Sequence, residues 1–331
     1  MNLTRLAAIR NARSEIISIV NADKRIGYKF VRLGFHDCVG GCDGCVDLLN
    51  PDNNGLAIPI AELTDIVRKY SIKGITRADM WVLAAQTSAE VLNSVPSVAF
   101  PFKWYGRPTC DQRTNIDACK AGNCALDRGP DRKMPSGNFD THQVLTYFKD
   151  TFGFDTEETV TLMGAHAIGK VNRINSGYAG DGWSSTPTVL NNSYYAQLIG
   201  LGSTTSELVQ RTPQWRRAEI DNTDFVDVNG NPVPTRHQWN FTNLFMLNAD
   251  IAMVRNFTGR ISADGEVSCT FRGNTRCPIA RETFQFMAKY RNNNTLWVEK
   301  FSKVFTSMLE FPYRTGAGCA ARLCFIANLF Q

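Results

Sequence analysis

No run of five or more basic residues occurs in this chain of 331 residues, and 36 Lys and Arg against 31 Asp and Glu leave a net charge of +5. A mild, scattered excess of that kind is not the electrostatic footprint of a nucleic-acid binder. No apolar stretch approaches the length of a membrane span, so no membrane partner is expected. The opening MNLTRLAAIR has no apolar h-region, so a mature chain without a signal peptide is expected. Internal repeats, low-complexity tracts and a dividing linker are missing as well. β-Branched alternation is sparse: EVSCTF and DVNGNPV, the latter with an Asn-Gly turn, are the strand-like pieces. Histidine is scarce, with His36, His142, His166 and His237 the four present. Candidates for acid–base or metal chemistry are therefore few.

What remains is helical. With 43% hydrophobic and 20% charged residues the composition is that of a soluble globule. Its length would accommodate two domains or one large one, and the lack of a linker favours one, spanning 1–331. Leu3, Leu6, Ala7, Ile16, Ile17 and Val20 mark a first amphipathic helix, and a second is expected from about Lys24 to Asp37. Thr76 with Asp79 three residues on is an N-cap signal for RADMWVLAAQTSAEVL. Thr156, followed by Glu157 and Glu158, opens VTLMGAHAIG with acidic residues at the positive end of a helix dipole. ETFQFMAKY and WVEKFSKVFTSMLEF are late helices, and residues 106–135 form a long loop.

Ten cysteines fall in four clusters, namely Cys38, Cys42 and Cys45; Cys110, Cys119 and Cys124; Cys269 and Cys277; Cys319 and Cys324. Their even number and spacing suit local disulfides in an oxidising compartment. Sequons at Asn2, Asn191, Asn240, Asn256 and Asn293 point the same way, so a secreted, extracellular glycoprotein is expected.

The stretch RLGFHDCVGGCDGC, residues 32–45, crowds Arg32, Phe35, His36 and Asp37 against three of those cysteines. It could be a metal site, a disulfide knot or half of an active site. Arg32 and His36 stand i and i+4 on the second helix and share a face, with Phe35 beside them. His166, in TLMGAHAIGK, is flanked by alanines and glycines that would let a group approach the backbone. A structural zinc site would need a second knuckle of matching spacing, which the other clusters lack. Zinc is set aside.

Arg-x-x-Phe-His-Asp on a helix, followed far downstream by Gly-Ala-His-Ala-Ile-Gly-Lys, resembles the plant-type haem peroxidase superfamily of plant, fungal and bacterial enzymes. DNNGL, ITRADMWVLAA, KMPSG and FMLNADIAMV resemble further family segments in the family's order, across nearly the whole chain. LMGAHAIGKVNRINSGYAGDGW is most similar to the cytochrome c peroxidase branch, although Phe35 stands where that branch has tryptophan. The resemblance implies an all-α fold with haem b between a distal half, about 1–140, and a proximal half, about 141–331.

Carried over, His166 is the axial ligand of the haem iron and Asp250 accepts its other ring N–H. His36 is the general base toward hydrogen peroxide, Asn53 fixes its tautomer, and Arg32 stabilises charge on the departing oxygen. Phe35 keeps the pocket small and dry. Lys170, Asn172, Ser176 and Pro135 correspond to haem-binding positions, and Trp183 to the radical-bearing tryptophan of the cytochrome c peroxidase branch, after a segment one residue longer. Asp37, Gly41 and Asp43 resemble a calcium loop of oxygen ligands, with Cys45 where that loop has serine. Ala167 replaces the hydroxyl of a proximal calcium site. Asn175 stands where ascorbate peroxidases have arginine, and Arg25 and Lys29 where manganese peroxidases have carboxylates, so neither donor is favoured. The implied protein is a monomeric enzyme using hydrogen peroxide and a reducing substrate of unknown identity. The rival reading is a catalytically silent secreted glycoprotein using the fold for binding.

Overall fold

The computed structural model describes residues 3–103, 105–110, 133–176, 182–202, 239–241, 244–263, 265–271, 274–275 and 277–314. Two compact units emerge: residues 1–134 with 302–331, and residues 135–301. The last helix therefore contributes its second half to the first unit.

In the first unit, apolar residues three and four apart generate the buried stripe Leu6, Ile9, Ile16 and Val20 of α1 (Leu3–Ala22). Asp23 caps α2 (Lys24–Cys38) by accepting from the Arg25 N–H, and Phe30, Leu33 and Gly34 lie on its buried face. α3 (Ala57–Ser71) begins without a side-chain cap. Buried on nearly every side, α4 (Arg77–Leu92) starts at a Thr76–Asp79 capping box. Gly34 lets α2 and α4 meet closely, because a Cβ there would stand 2.5 Å from that of Ala85. The capping carboxylate of Asp79 is itself buried and receives Arg107 Nη1 at 3.0 Å and the Gly106 N–H at 2.6 Å. Removing either charge of that pair would strand the other, at a cost of about 3–5 kcal/mol. Phe305, Met308 and Leu309, from the last helix, complete this core.

In the second unit, α5 (Thr141–Phe152) opens with an Asp140–Gln143 capping box and ends at Gly153, whose φ of 71° suits glycine. α6 (Thr156–Met163) is capped by Asp155 in a box with Glu158, one residue before the Thr156 start read from the sequence. The helix stops at Met163, and a 3₁₀ turn over Gly164–Ala167 carries His166. α7 (Arg173–Ser176) is one turn, and α8 (Ser193–Gly202) buries Tyr194 and Tyr195. The strands β1 (Trp239–Phe241) and β2 (Leu244–Met246) pair antiparallel with Asn240 opposite Phe245. α9 (Asn248–Ile251) follows, then the short hairpin of β3 (Thr270–Phe271) and β4 (Asn274–Thr275), which takes only the end of EVSCTF. α10 (Arg281–Asn292) and α11 (Asn294–Arg314) finish the described chain. The DVNGNPV expectation lies outside the described residues, as do 111–132 of the long loop. The fold is mainly helical, as expected.

Candidate active site

On α2 the four-residue spacing brings Arg32 and His36 into contact, with Arg32 Nε 3.2 Å from His36 Nε2. The guanidinium is oriented by two backbone carbonyls: Nη1 donates to Asn54 O at 2.8 Å and Nη2 to Asp52 O at 2.7 Å. Those carbonyls come from a 3₁₀ turn, Pro51–Asn53, and from Asn54, which follows it; the turn is started by a proline and capped by Asn50, whose side chain accepts from the Asp52 N–H. The turn also delivers Asn53. Its Nδ2 donates to Asp47 O at 2.7 Å, which leaves Oδ1 facing His36 Nδ1, 2.7 Å away.

That network assigns the tautomer: Nδ1–H donates to Asn53, and the Nε2 lone pair points to Arg32. Burial first, and then the Arg32 cation, push the His36 imidazole down to about 3, against a smaller upward effect of the Asn53 bond. Burial lowers Arg32 to about 10, so it remains a cation at neutral pH. The Phe35 ring stands edge-on to His36 at 5.6 Å. A neutral imidazole beside a fixed cation can accept a proton while the cation stabilises the charge that develops.

The segment after His36 is stapled. Cys38 pairs with Cys42 and Cys45 with Cys110, while Cys269 pairs with Cys277 in the second unit. Cys119, Cys124, Cys319 and Cys324 lie outside the described residues. Buried Asp37 uses Oδ1 to accept the Cys45 N–H at 3.0 Å, and its carbonyl accepts from Cys42 N. Gly41 donates to Cys38 O, and the Asp43 carbonyl accepts from Cys110 N. Of the three candidate calcium residues, Asp37 thus lies at the end of α2, and Gly41 and Asp43 lie in the loop after it that two disulfides hold. Gly44, at φ 72°, lets this loop press on the start of α4, where an added Cβ would meet Ala78 N at 2.8 Å.

In the second unit the centre is Asp250, fully buried on α9. Its Oδ1 accepts His166 Nδ1–H at 2.7 Å and the Tyr194 O–H at 2.9 Å. Its Oδ2 accepts Trp183 Nε1–H at 2.9 Å and the Leu247 N–H at 2.7 Å. Trp183 stacks on His166 with ring centroids 4.4 Å apart and planes 21° from parallel. Phe245 meets Trp183 edge-on at 5.1 Å. The extra residue before Trp183 therefore does not turn its indole away from Asp250. Among the described residues His166 Nε2 makes no hydrogen bond, and the side chain is 32% exposed.

The remaining predicted positions are more loosely related to this centre. Pro135 is half-buried in a segment whose Gly137 carbonyl accepts from Ala249 N, next to Asp250. Ser176 Oγ donates to the Asn172 carbonyl across α7, and Lys170 is exposed.

Two features escaped the sequence reading. Tyr194 was not singled out, since nothing local marks it as a partner of a residue 56 positions away. Burial and the Asp250 carboxylate hold its phenol well above the ordinary value, so it is an O–H donor. The alanines and glycines flanking His166 suggest room for an approaching group, Gly164 among them. The Tyr195 hydroxyl and the Trp297 indole fill that room instead.

The peroxidase family model matches residues 12–262. This chain belongs to the peroxidase family. A Yarrowia lipolytica protein whose name includes "heme-binding peroxidase" is 30% identical over 212 residues, covering 60% of this chain and 64% of that protein. A Debaryomyces hansenii protein of the same naming is 25% identical over 256 residues, which are 71% of this chain and 48% of the relative. The mitochondrial cytochrome c peroxidase of Neurospora crassa is 24% identical over 303 residues, 87% of this chain and 65% of that protein. The chain thus spans about half to two thirds of the length of these relatives. Family membership fits the mainly helical fold and both histidine clusters.

Proposed function

We propose that this peroxidase-family chain is a haem peroxidase that reduces hydrogen peroxide and oxidises donor molecules one electron at a time. The observation that carries the reading is the state of His166. Asp250 Oδ1 accepts the Nδ1–H, so the partly exposed ring keeps its Nε2 side for the iron. The fit to haem is good in donor chemistry, because a neutral imidazole backed by a carboxylate is the proximal ligand that peroxidase haem uses.

His166 would hold the iron, with Pro135, Lys170, Asn172 and Ser176 as haem-binding contacts carried over from the family. Haem, when bound, supplies the redox chemistry that splits the O–O bond. His36 Nε2 takes the proton of hydrogen peroxide and returns it to the leaving oxygen. It is ready to do so because it is neutral at pH 7. Asn53 keeps the proton on Nδ1 throughout. Arg32, still a cation, stabilises the departing hydroxide, and Phe35 excludes water. Trp183, stacked on His166 and bonded to the Asp250 carboxylate, would supply the second of the two electrons that peroxide reduction takes, with the negative charge beside it stabilising the oxidised ring. The reducing substrate is an electron donor whose identity is open, with ascorbate and manganese disfavoured by Asn175, Arg25 and Lys29. Three disulfides among the described residues support a secreted chain.

A visible spectrum of the haem-loaded protein, before and after hydrogen peroxide, tests this. The expected result is a Soret band that shifts on peroxide addition in the native protein and is lost or greatly weakened in His166→Ala. An identical Soret band in that variant would refute the axial assignment.

A further inference from the structure

We infer that Tyr194 is a positioning residue that sets how much negative charge the Asp250 carboxylate passes to His166. The inference rests on the haem reading above. Two carboxylate oxygens have about four acceptor sites, and Asp250 fills them with four donors: His166, Tyr194, Trp183 and the Leu247 N–H. The phenol shares Oδ1 with the imidazole, at 2.9 Å against 2.7 Å. Two donors on one oxygen weaken one another, because each draws on the same lone-pair density. The Tyr194 O–H therefore restrains the pull of Oδ1 on the His166 Nδ1 proton, and so the anionic character of the ring.

The geometry is held firmly. Tyr194 is fully buried on α8, with its ring edge-on to His166 at 5.9 Å and to Tyr195 at 5.2 Å. Asp250 cannot turn toward one partner without releasing another, since Trp183 and Leu247 hold Oδ2. The partition between imidazole and phenol is thus built into the site, and the phenol hydroxyl is the adjustable part of it.

The sign of the effect separates tuning from mere support. If Tyr194 only propped up the site, its loss would loosen Asp250 from His166 and raise the iron potential. If it competes for Oδ1, its loss strengthens the His166–Asp250 bond and lowers that potential.

Tyr194→Phe keeps the ring and removes the hydroxyl. Tyr195→Phe is the matched control, because that buried hydroxyl donates to the Val160 and Thr161 carbonyls and not to Asp250. Both are measured as haem-loaded proteins by potentiometric titration and by resonance Raman of the iron–imidazole stretch. The expected result is a downward shift in midpoint potential and an upward shift of the stretch in Tyr194→Phe, with Tyr195→Phe at native values. An unchanged or raised potential in Tyr194→Phe, or equal shifts in both variants, overturns the inference. A Soret band unmoved by His166→Ala would instead remove the haem reading, and the tuning role with it.

Discussion

Two histidines in this molecule are treated in opposite ways, and the difference lies in their partners. His36 gives its Nδ1–H to the neutral amide oxygen of Asn53 and faces the Arg32 cation with its other nitrogen. Neither partner adds electron density, and burial pushes the ring down to about 3. His166 gives its Nδ1–H to a buried carboxylate, which enriches the ring in electron density. An amide partner leaves a weak base whose Nε2 lone pair faces the Arg32 Nε–H; a carboxylate partner makes a more electron-rich ring. One residue type is thus set in two electronic environments by a change of neighbour.

Deleting each histidine gives the largest contrast. His166→Ala should release haem, as argued above, whereas His36→Leu should retain it and slow the peroxide reaction. The slowing should reach two or more decades, the scale of general acid–base catalysis. Stopped-flow at the native rate for His36→Leu would remove His36 from the proton-transfer role.

Exchanging the partners gives smaller effects. Asp250→Asn should keep haem but move the iron potential upward, since the imidazole loses its anionic neighbour. A potential equal to native would show that the carboxylate charge does not reach the iron. Trp183→Phe tests the electron source on the same carboxylate. Rapid-freeze electron paramagnetic resonance after peroxide should show a protein radical in the native chain that is missing or altered in the variant. Identical signals would locate the electron loss elsewhere.

The smallest effect is on pH dependence. With His36 depressed to about 3, the peroxide reaction should stay flat through the ordinary imidazole range near about 6.5 and fall only as the pH nears that lower value. Folding stability follows the same depressed value. The unfolded ring binds a proton below about 6.5 and the folded ring does not, so this residue's contribution is complete above that pH and declines between there and about 3. Asn53→Asp would put a carboxylate beside the ring and move the fall in rate to higher pH. A native rate that already halves near 6.5 would contradict the depressed value.

Local patterns were legible in the sequence, and distant ones were not. The i, i+4 pair of Arg32 and His36 and the Thr76–Asp79 box are encoded within one helical turn, and both stand as expected. Asn53 and Asp250 came only from resemblance, because loops and a separation of 84 residues connect them to their histidines. α3 carries no side-chain cap and went unread. α5 does carry one, the Asp140–Gln143 box, which was there to be found. Tyr194 and the Tyr195–Trp297 filling at Gly164 depend on α8 and α11 converging on the His166 turn. No periodicity announces that.

The two disulfides beside His36 differ in a way that bears on how the protein is made. Cys38–Cys42 spans 4 positions and Cys45–Cys110 spans 65. By chain-entropy reasoning the short ring restrains the unfolded chain by about 2 kcal/mol and the long one by about 4 kcal/mol. The short one instead fixes shape: it ties Cys38, the last residue of α2, to Cys42, which at φ 48° is the non-glycine residue with positive φ among the described residues. A cell that keeps thiols reduced would then yield a chain with two separate defects, a less durable fold and a frayed end on the helix that carries His36. Replacing the Cys45–Cys110 pair with serines should cost more in melting temperature. Replacing Cys38–Cys42 should cost more in peroxide rate, and the reverse order would show that the bridges share one task.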